Sequence, residues 1–248
     1  MSGMTGNIAA IFFDMNGTLR TREPDAPTQA AALLRLRQML GKSDAAEDYW
    51  ETLSQRFQVY ADWARAGLTQ ASEAEIWTRW ILPEEPAQRV AVQADELMLA
   101  WIERKGRAIP RPGAQAVLQE LQRRGYRLGV ISNTISTLDV PRFIRANGWQ
   151  ALLQVVVLSA EMNSRKPAPE LFNRALERMR VANNRCAYVG NRLAKDIVGC
   201  KRAGFALGIM LETPGLTRME EVEAHFQADR VIQSLEDLLD IFPGVGQA

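Results

Sequence analysis

The sequence predicts an α/β protein: a doubly wound parallel sheet with an all-α segment inserted after its first strand. Three observations carry that prediction. Short apolar runs recur at 8–13, 127–131, 153–158, 186–189 and 205–211, the pattern of strands buried on both faces. From residue 111 onward these runs alternate with helical patterns, the order expected of a parallel sheet. Between 28 and about 106 every readable pattern is helical.

The first run, Ile8-Ala9-Ala10-Ile11-Phe12-Phe13, leads into Asp14-Met15-Asn16-Gly17-Thr18-Leu19. A buried strand of this kind delivers Asp14 to the carboxyl edge of the sheet, where open α/β folds bind ligands. Asn16-Gly17 bends the chain away, and Thr18 offers a hydroxyl beside the carboxylate. Residues 20–27 are polar and punctuated by Pro24 and Pro27, and read as a connection. Residues 30–40 form a strong helix closed by Gly41. Residues 44–66 carry Trp50, Leu53, Phe57, Tyr60 and Ala64 as an amphipathic stripe ending at Gly67. Ser72 with Glu75 is a capping box for a helix through Trp80, stopped by Pro83, and 86–105 supply another. These helices predict a cap domain at 23–106, with 1–22 and 107–248 forming the core domain. Trp50, Trp63, Trp77, Trp80 and Trp101 are assigned to its helix packing.

Arg111-Pro112-Gly113 re-enters the core. Helices follow at 114–124, 137–147, 169–179 and 194–203 between the strands, and 228–232 with 234–241 close the chain. The 103–107 basic run reads as a solvated junction, and His225, among Glu220, Glu221 and Glu223, as a surface residue.

Composition excludes some functions. A hydrophobic content of 47% and a charged content of 24% are those of a globular protein, and a net charge of +1 provides no field for nucleic acid or an anionic membrane. No stretch approaches the ~20 apolar residues of a membrane span. Cys186 and Cys200 fall on a strand and a helix and read as buried free thiols, and the start lacks a basic leader pattern, so a cytoplasmic location is expected.

Three further polar groups stand at or near strand ends: Ser132-Asn133, Lys166 in Arg165-Lys166-Pro167, and Gly190-Asn191 with Asp196. A strand-end carboxylate such as Asp14 needs a cation nearby if it is to act as a nucleophile toward an anion, and Lys166 is a natural supplier. Ser132 suits a phosphoryl oxygen, and Pro167 aims the Lys166 stem by favouring extended backbone before it.

In order and spacing the four motifs resemble those of the haloacid dehalogenase-like hydrolase superfamily. That resemblance implies a Rossmann-like core and a Mg²⁺-dependent phosphatase of small phosphorylated metabolites working through an aspartyl-phosphate. It implies Asp14 as nucleophile, Ser132 and Lys166 as phosphoryl binders, and Asn16 at the acid/base position. Thr18, Asn133 and Arg20 fall on the substrate side, and Asp14, Asn16 (through its carbonyl), Asn191 and Asp196 on the metal side.

Asn16 and Asn191 depart from the pattern, since the family usually has Asp at both. An amide transfers no proton at neutral pH, so a loss of about 10²–10⁴-fold is expected at Asn16. Asn191 is a neutral, weaker ligand than a carboxylate. The pocket is therefore expected to be more cationic than usual, to bind phosphate esters well, and to turn over slowly or only with good leaving groups. Deamidation of Asn16-Gly17 is one route back to an acid. The alternative is a catalytically lapsed member that binds a phosphorylated ligand or a protein partner. Haloacid dehalogenation is a minor alternative: the Asn191–Asp196 separation matches the phosphatase branch, and dehalogenases carry an aromatic residue where Asn16 stands.

Overall fold

The structure, a computed structural model, describes residues 7–42, 47–212 and 226–244. Residues 220–225, including His225 and its acidic neighbours, lie outside the described residues. The main sheet has six parallel strands in the order β5-β4-β1-β6-β7-β8. They are β1 (Ala10–Phe13), β4 (Arg127–Ser132), β5 (Leu153–Leu158), β6 (Cys186–Gly190), β7 (Leu207–Leu211) and β8 (Arg230–Ile232). Strand β1 is central, pairing Phe13 with Val130 on one side and with Val189 on the other. The chain runs outward through β4 and β5, then crosses back to β6. The carboxyl ends of β1, β4 and β6 therefore meet at the switch point where α/β sheets hold ligands.

Both faces of the sheet are covered, which is why its strands read as continuous apolar runs. Ile11, Phe13, Val130 and Val189 pack with Val117, Leu118 and Leu121 of helix α6 (Ala114–Arg123) and with Val140, Phe143 and Ile144 of α7 (Asp139–Ala146). On the opposite face, Phe12, Ile131 and Tyr188 meet Leu171, Phe172 and Ala175 of α8 (Pro169–Met179), and Cys200 of α9 (Val198–Arg202). Cys186 and Cys200 are free and buried in that same cluster, as expected.

The inserted helices are α1 (Ala26–Leu40), α2 (Glu47–Ala66), α3 (Glu73–Glu75, continued by a π-helical stretch Ile76–Ile81), α4 (Ala87–Ala91) and α5 (Ala94–Glu103). Local chemistry sets their ends. Asp25 caps α1 by accepting from the Thr28 N–H, Gly41 closes it at φ 65°, and Ser72 with Glu75 forms the capping box of α3. Leu36, Leu53, Tyr60, Trp77, Leu97 and Trp101 centre an apolar cluster separate from those of the sheet. Trp50, Trp77 and Trp101 are buried there, whereas Trp63 is 39% exposed and Trp80 half-buried.

One element was not foreseen. Residues 20–23, read as a connection, are strand β2 (Arg20–Glu23), paired antiparallel with β3 (Arg107–Pro110). The two strands form a ribbon where the chain enters and leaves the insertion. Strand β2 is polar throughout and β3 alternates no apolar face, so no periodicity marks them. The 103–107 run is likewise not simply solvated, because the Arg104 guanidinium lies 3.9 Å from the Trp101 ring centre. The insertion is fastened to the loops after β4 and β5. Glu73 accepts from the Thr137 N–H and hydroxyl, both at 2.9 Å, and the Leu68 carbonyl accepts from Arg165 N at 3.1 Å. Among the described residues no helix is long and apolar enough to cross a membrane.

Candidate active site

Asp14 stands one residue past β1, held by its N–H on the Val189 carbonyl at 2.9 Å. Lys166, from the loop after β5, extends its ammonium into the same point, with only 1% of its side chain exposed. Its Nζ lies within hydrogen-bond reach of Asp14 Oδ1 at 2.8 Å, Asp196 Oδ1 at 2.7 Å, Tyr188 Oη at 2.7 Å and the Ile131 carbonyl at 2.9 Å. The four sequence motifs thus converge on one buried lysine. Asn133 clasps its backbone, donating to the Lys166 carbonyl at 3.0 Å and accepting from its N–H at 2.8 Å. That pair of hydrogen bonds places Asn133 as a brace for the lysine loop.

Asp196 is more committed than its spacing suggests. Oδ1 takes Lys166 and lies 3.2 Å from the Tyr188 hydroxyl, while Oδ2 takes the N–H groups of Asn191 and Arg192 at 3.1 and 3.0 Å. The expected metal ligand therefore already holds three donors, and it fixes both the lysine and the loop after β6. Gly190 is required beneath it, since a Cβ there would come 2.4 Å from the Asp196 carboxyl carbon. Gly17, at φ +88°, similarly leaves room for Asn191, whose Nδ2 would lie 2.3 Å from a Cβ at that position.

Three polar atoms around this centre are buried and make no hydrogen bond: Thr18 Oγ1, Ser132 Oγ and Asn191 Oδ1. They come from three different motifs. Buried polar atoms are rarely left so, and these three are available to bond a ligand that reaches the site.

Arg20, expected on the substrate side, is placed elsewhere. It is 2% exposed, pairs with the Asp139 carboxylate, and lies 5.0 Å from the Phe143 ring centre. Its Nε donates to Asn16 Oδ1 at 2.9 Å. Because guanidinium only donates, this bond fixes which end of the Asn16 amide is oxygen, and the NH₂ group faces away from Arg20. Asn16 itself is exposed. The Gly17 N–H, the atom that attacks in deamidation, donates to the Arg20 carbonyl at 2.8 Å. Sequence reasoning missed Asp139, Arg20's partner, and Tyr188.

Strand-end Asp14, the Lys166–Asp196 pair and the loop after β6 converge at the switch point of a β5-β4-β1-β6-β7-β8 sheet. Over residues 8–204 the sequence matches the haloacid dehalogenase-like hydrolases. The chain belongs to that family. It is 28% identical to the glyceraldehyde 3-phosphate phosphatase of Methanothermobacter thermautotrophicus over 94% of this chain and 99% of that one. It is 27% identical to the phosphoserine phosphatase of Thermus thermophilus over 78% and 85% of the two chains. The fold matches the structure of a 2-haloacid dehalogenase from Pseudomonas syringae pv. Tomato with a TM-score of 0.66 at 21% identity, over 94% and 97% of the chains.

The electrostatics of this haloacid dehalogenase-like site follow from burial. Desolvation pushes the Asp14 carboxyl up to about 6; Lys166 pulls it down and Asp196 adds to the rise. Burial opposes charge on Lys166, yet Asp14 and Asp196 hold its ammonium above the usual value. The Tyr188 phenol is raised well above its usual range, first by burial and then by Asp196 and Asp14, so it is a neutral hydroxyl. In metal-free protein we expect carbon NMR to show Asp14 titrating near pH 6; a midpoint near 4 would contradict the buried geometry.

A divalent cation fits the donors. Asn191 Oδ1 is a buried, unpartnered oxygen, and Lys166 engages only one oxygen of Asp14. Among the described residues no group of three His, Cys, Asp or Glu could hold a metal by itself. The set suits a hard cation that keeps water and substrate oxygens as its other ligands.

Proposed function

We propose that this chain is a Mg²⁺-dependent phosphatase of small phosphorylated metabolites, acting through an aspartyl-phosphate on Asp14. The observation that carries this reading is the buried Asp14–Lys166–Asp196 array ringed by the unpartnered Thr18 Oγ1, Ser132 Oγ and Asn191 Oδ1. In this reading residues 23–106 are the cap over a core of 1–22 and 107–248. The phosphatase relatives support it.

Asp14 attacks phosphorus, the bond to the ester oxygen breaks, and the leaving group departs with the electron pair. Lys166 offsets the charge of the phosphoryl group, and the Ser132 and Thr18 hydroxyls donate to its oxygens. Mg²⁺ would be held by Asp14, the Asn16 carbonyl and Asn191, and when bound it supplies charge neutralisation. Water then attacks the aspartyl-phosphate, releasing inorganic phosphate and restoring Asp14.

Asn16 limits both steps. With Oδ1 held by Arg20, its free end is an amide donor, which can hydrogen-bond a leaving oxygen but cannot protonate it. Leaving groups already stable as anions are therefore favoured, and the aspartyl-phosphate breaks down slowly. The second reading, a lapsed member that holds a phosphorylated ligand, draws on the same amide.

Asn16→Asp separates the two. We expect turnover of an aryl phosphate to rise about 10²-fold or more, since general base help is worth about 10²–10⁴-fold. An unchanged rate in a folded variant would favour the lapsed reading.

A further inference from the structure

The Lys166 ammonium has three hydrogens, yet four acceptors lie within hydrogen-bond reach of it: Asp14 Oδ1, Asp196 Oδ1, Tyr188 Oη and the Ile131 carbonyl. Tyr188 is unlike the other three, because its hydroxyl both accepts and donates. Its Oη is also 3.0 Å from the Ile131 carbonyl and 3.2 Å from Asp196 Oδ1. The hydroxyl can therefore donate to Asp196 while Lys166 bonds Ile131, or donate to Ile131, its shorter contact. In the second arrangement every group is also satisfied. Lys166 donates to Asp14, Asp196 and Tyr188, and the Tyr188 hydroxyl passes its own hydrogen to Ile131.

A phosphoryl oxygen arriving at Asp14 requires one of the three ammonium hydrogens. Releasing either carboxylate breaks a charged bond in a buried site, which is the most costly choice. Releasing the tyrosine breaks a bond to a neutral acceptor, and Ile131 keeps the Tyr188 hydrogen throughout. The ring is held for this role by edge contacts to Phe172 and Phe205, with centroids 5.2 and 6.3 Å away, on strand β6 one residue before the Val189 that anchors Asp14.

We propose that Tyr188 is a positioning residue for phosphoryl transfer: its hydroxyl holds the third hydrogen of the Lys166 ammonium in reserve and yields it to the incoming phosphoryl oxygen. The proposal rests on the phosphatase reading of the site. Without the hydroxyl, the three hydrogens settle on Asp14, Asp196 and the Ile131 carbonyl. Turning one to phosphate then strands a buried acceptor, a penalty that corresponds to about a tenfold loss or more.

The test is Tyr188→Phe, which keeps the ring and its contacts. Single-turnover phosphorylation by an aryl phosphate with Mg²⁺ and equilibrium binding of inorganic phosphate are measured in wild type and variant, alongside melting temperature. We expect the phosphorylation rate constant at saturation to fall about tenfold and phosphate to bind several-fold more weakly, with melting little changed. A merely structural tyrosine would move melting and leave both other readouts within twofold, and that result overturns the assignment. Wild type that neither forms a phospho-enzyme nor binds phosphate overturns the phosphatase reading, and this assignment with it. Wild type active and variant equally active overturns the Tyr188 role alone.

Discussion

Lys166→Met is expected to cost about 3–5 kcal/mol of folding stability at neutral pH and to abolish phosphoryl transfer. Lys166 is the only cation bonded to Asp14 and Asp196 among the described residues, and both carboxylates are buried. Methionine conserves volume but leaves two uncompensated acids a short distance apart, which must share a proton or pay for desolvated charge. For a chain of this size that loss lowers the melting temperature by about 10 °C. The deficit has a defined pH dependence. Asp14 is already shifted up to about 6 with the lysine present, and losing the lysine moves it further up. Below its folded value the group takes a proton and the penalty fades, so wild type and variant converge as pH falls through that range. Thermal melts at about pH 5 and pH 7.5 check this. Equal melting at neutral pH would show that the lysine does not neutralise the pair.

Asp14→Asn carries the second large effect, with opposite signs for activity and stability. The amide cannot form an acyl phosphate, so no phospho-enzyme accumulates. Stability should hold or rise. The folded value of about 6 lies above the ordinary 3.8, so the native state binds the proton more tightly than the unfolded chain between these limits. Stability attributable to Asp14 is thus full below the unfolded value and declines as pH rises toward the folded one. At neutral pH the carboxylate costs on the order of 2–3 kcal/mol, which a neutral isostere removes while Lys166 keeps Asp196. A melting temperature well below wild type would contradict this reading. Such a trade is common where a charge is kept buried for chemistry.

Much of this was legible because local chemistry wrote it. The apolar run into Asp14, the Gly41 end of α1 and the Ser72–Glu75 capping box are each decided by adjacent residues. The parts that escaped depend on partners far along the chain. Strand β2 is Arg-Thr-Arg-Glu, polar throughout, and becomes a strand only against Arg107–Pro110. Arg20 reads as a charge approaching substrate until Asp139, 119 residues on, claims it. Tyr188 reads as one more apolar residue of a buried strand. Only the alternation of β6 and its register beside β1 bring the hydroxyl to Lys166. The spacing to Asn191 singles out Asp196, but not the three donors already bound to it.

The central claim is that Asp14 still attacks phosphorus although Asn16 cannot serve as acid or base. Rapid-quench mixing with an aryl phosphate and Mg²⁺, followed by intact mass and peptide mapping, tests it most directly, because that leaving group needs no proton. A burst of about one equivalent is expected, with phosphate carried on Asp14 and slow turnover afterwards. No burst and no phosphoryl-Asp14, from folded protein, would contradict it.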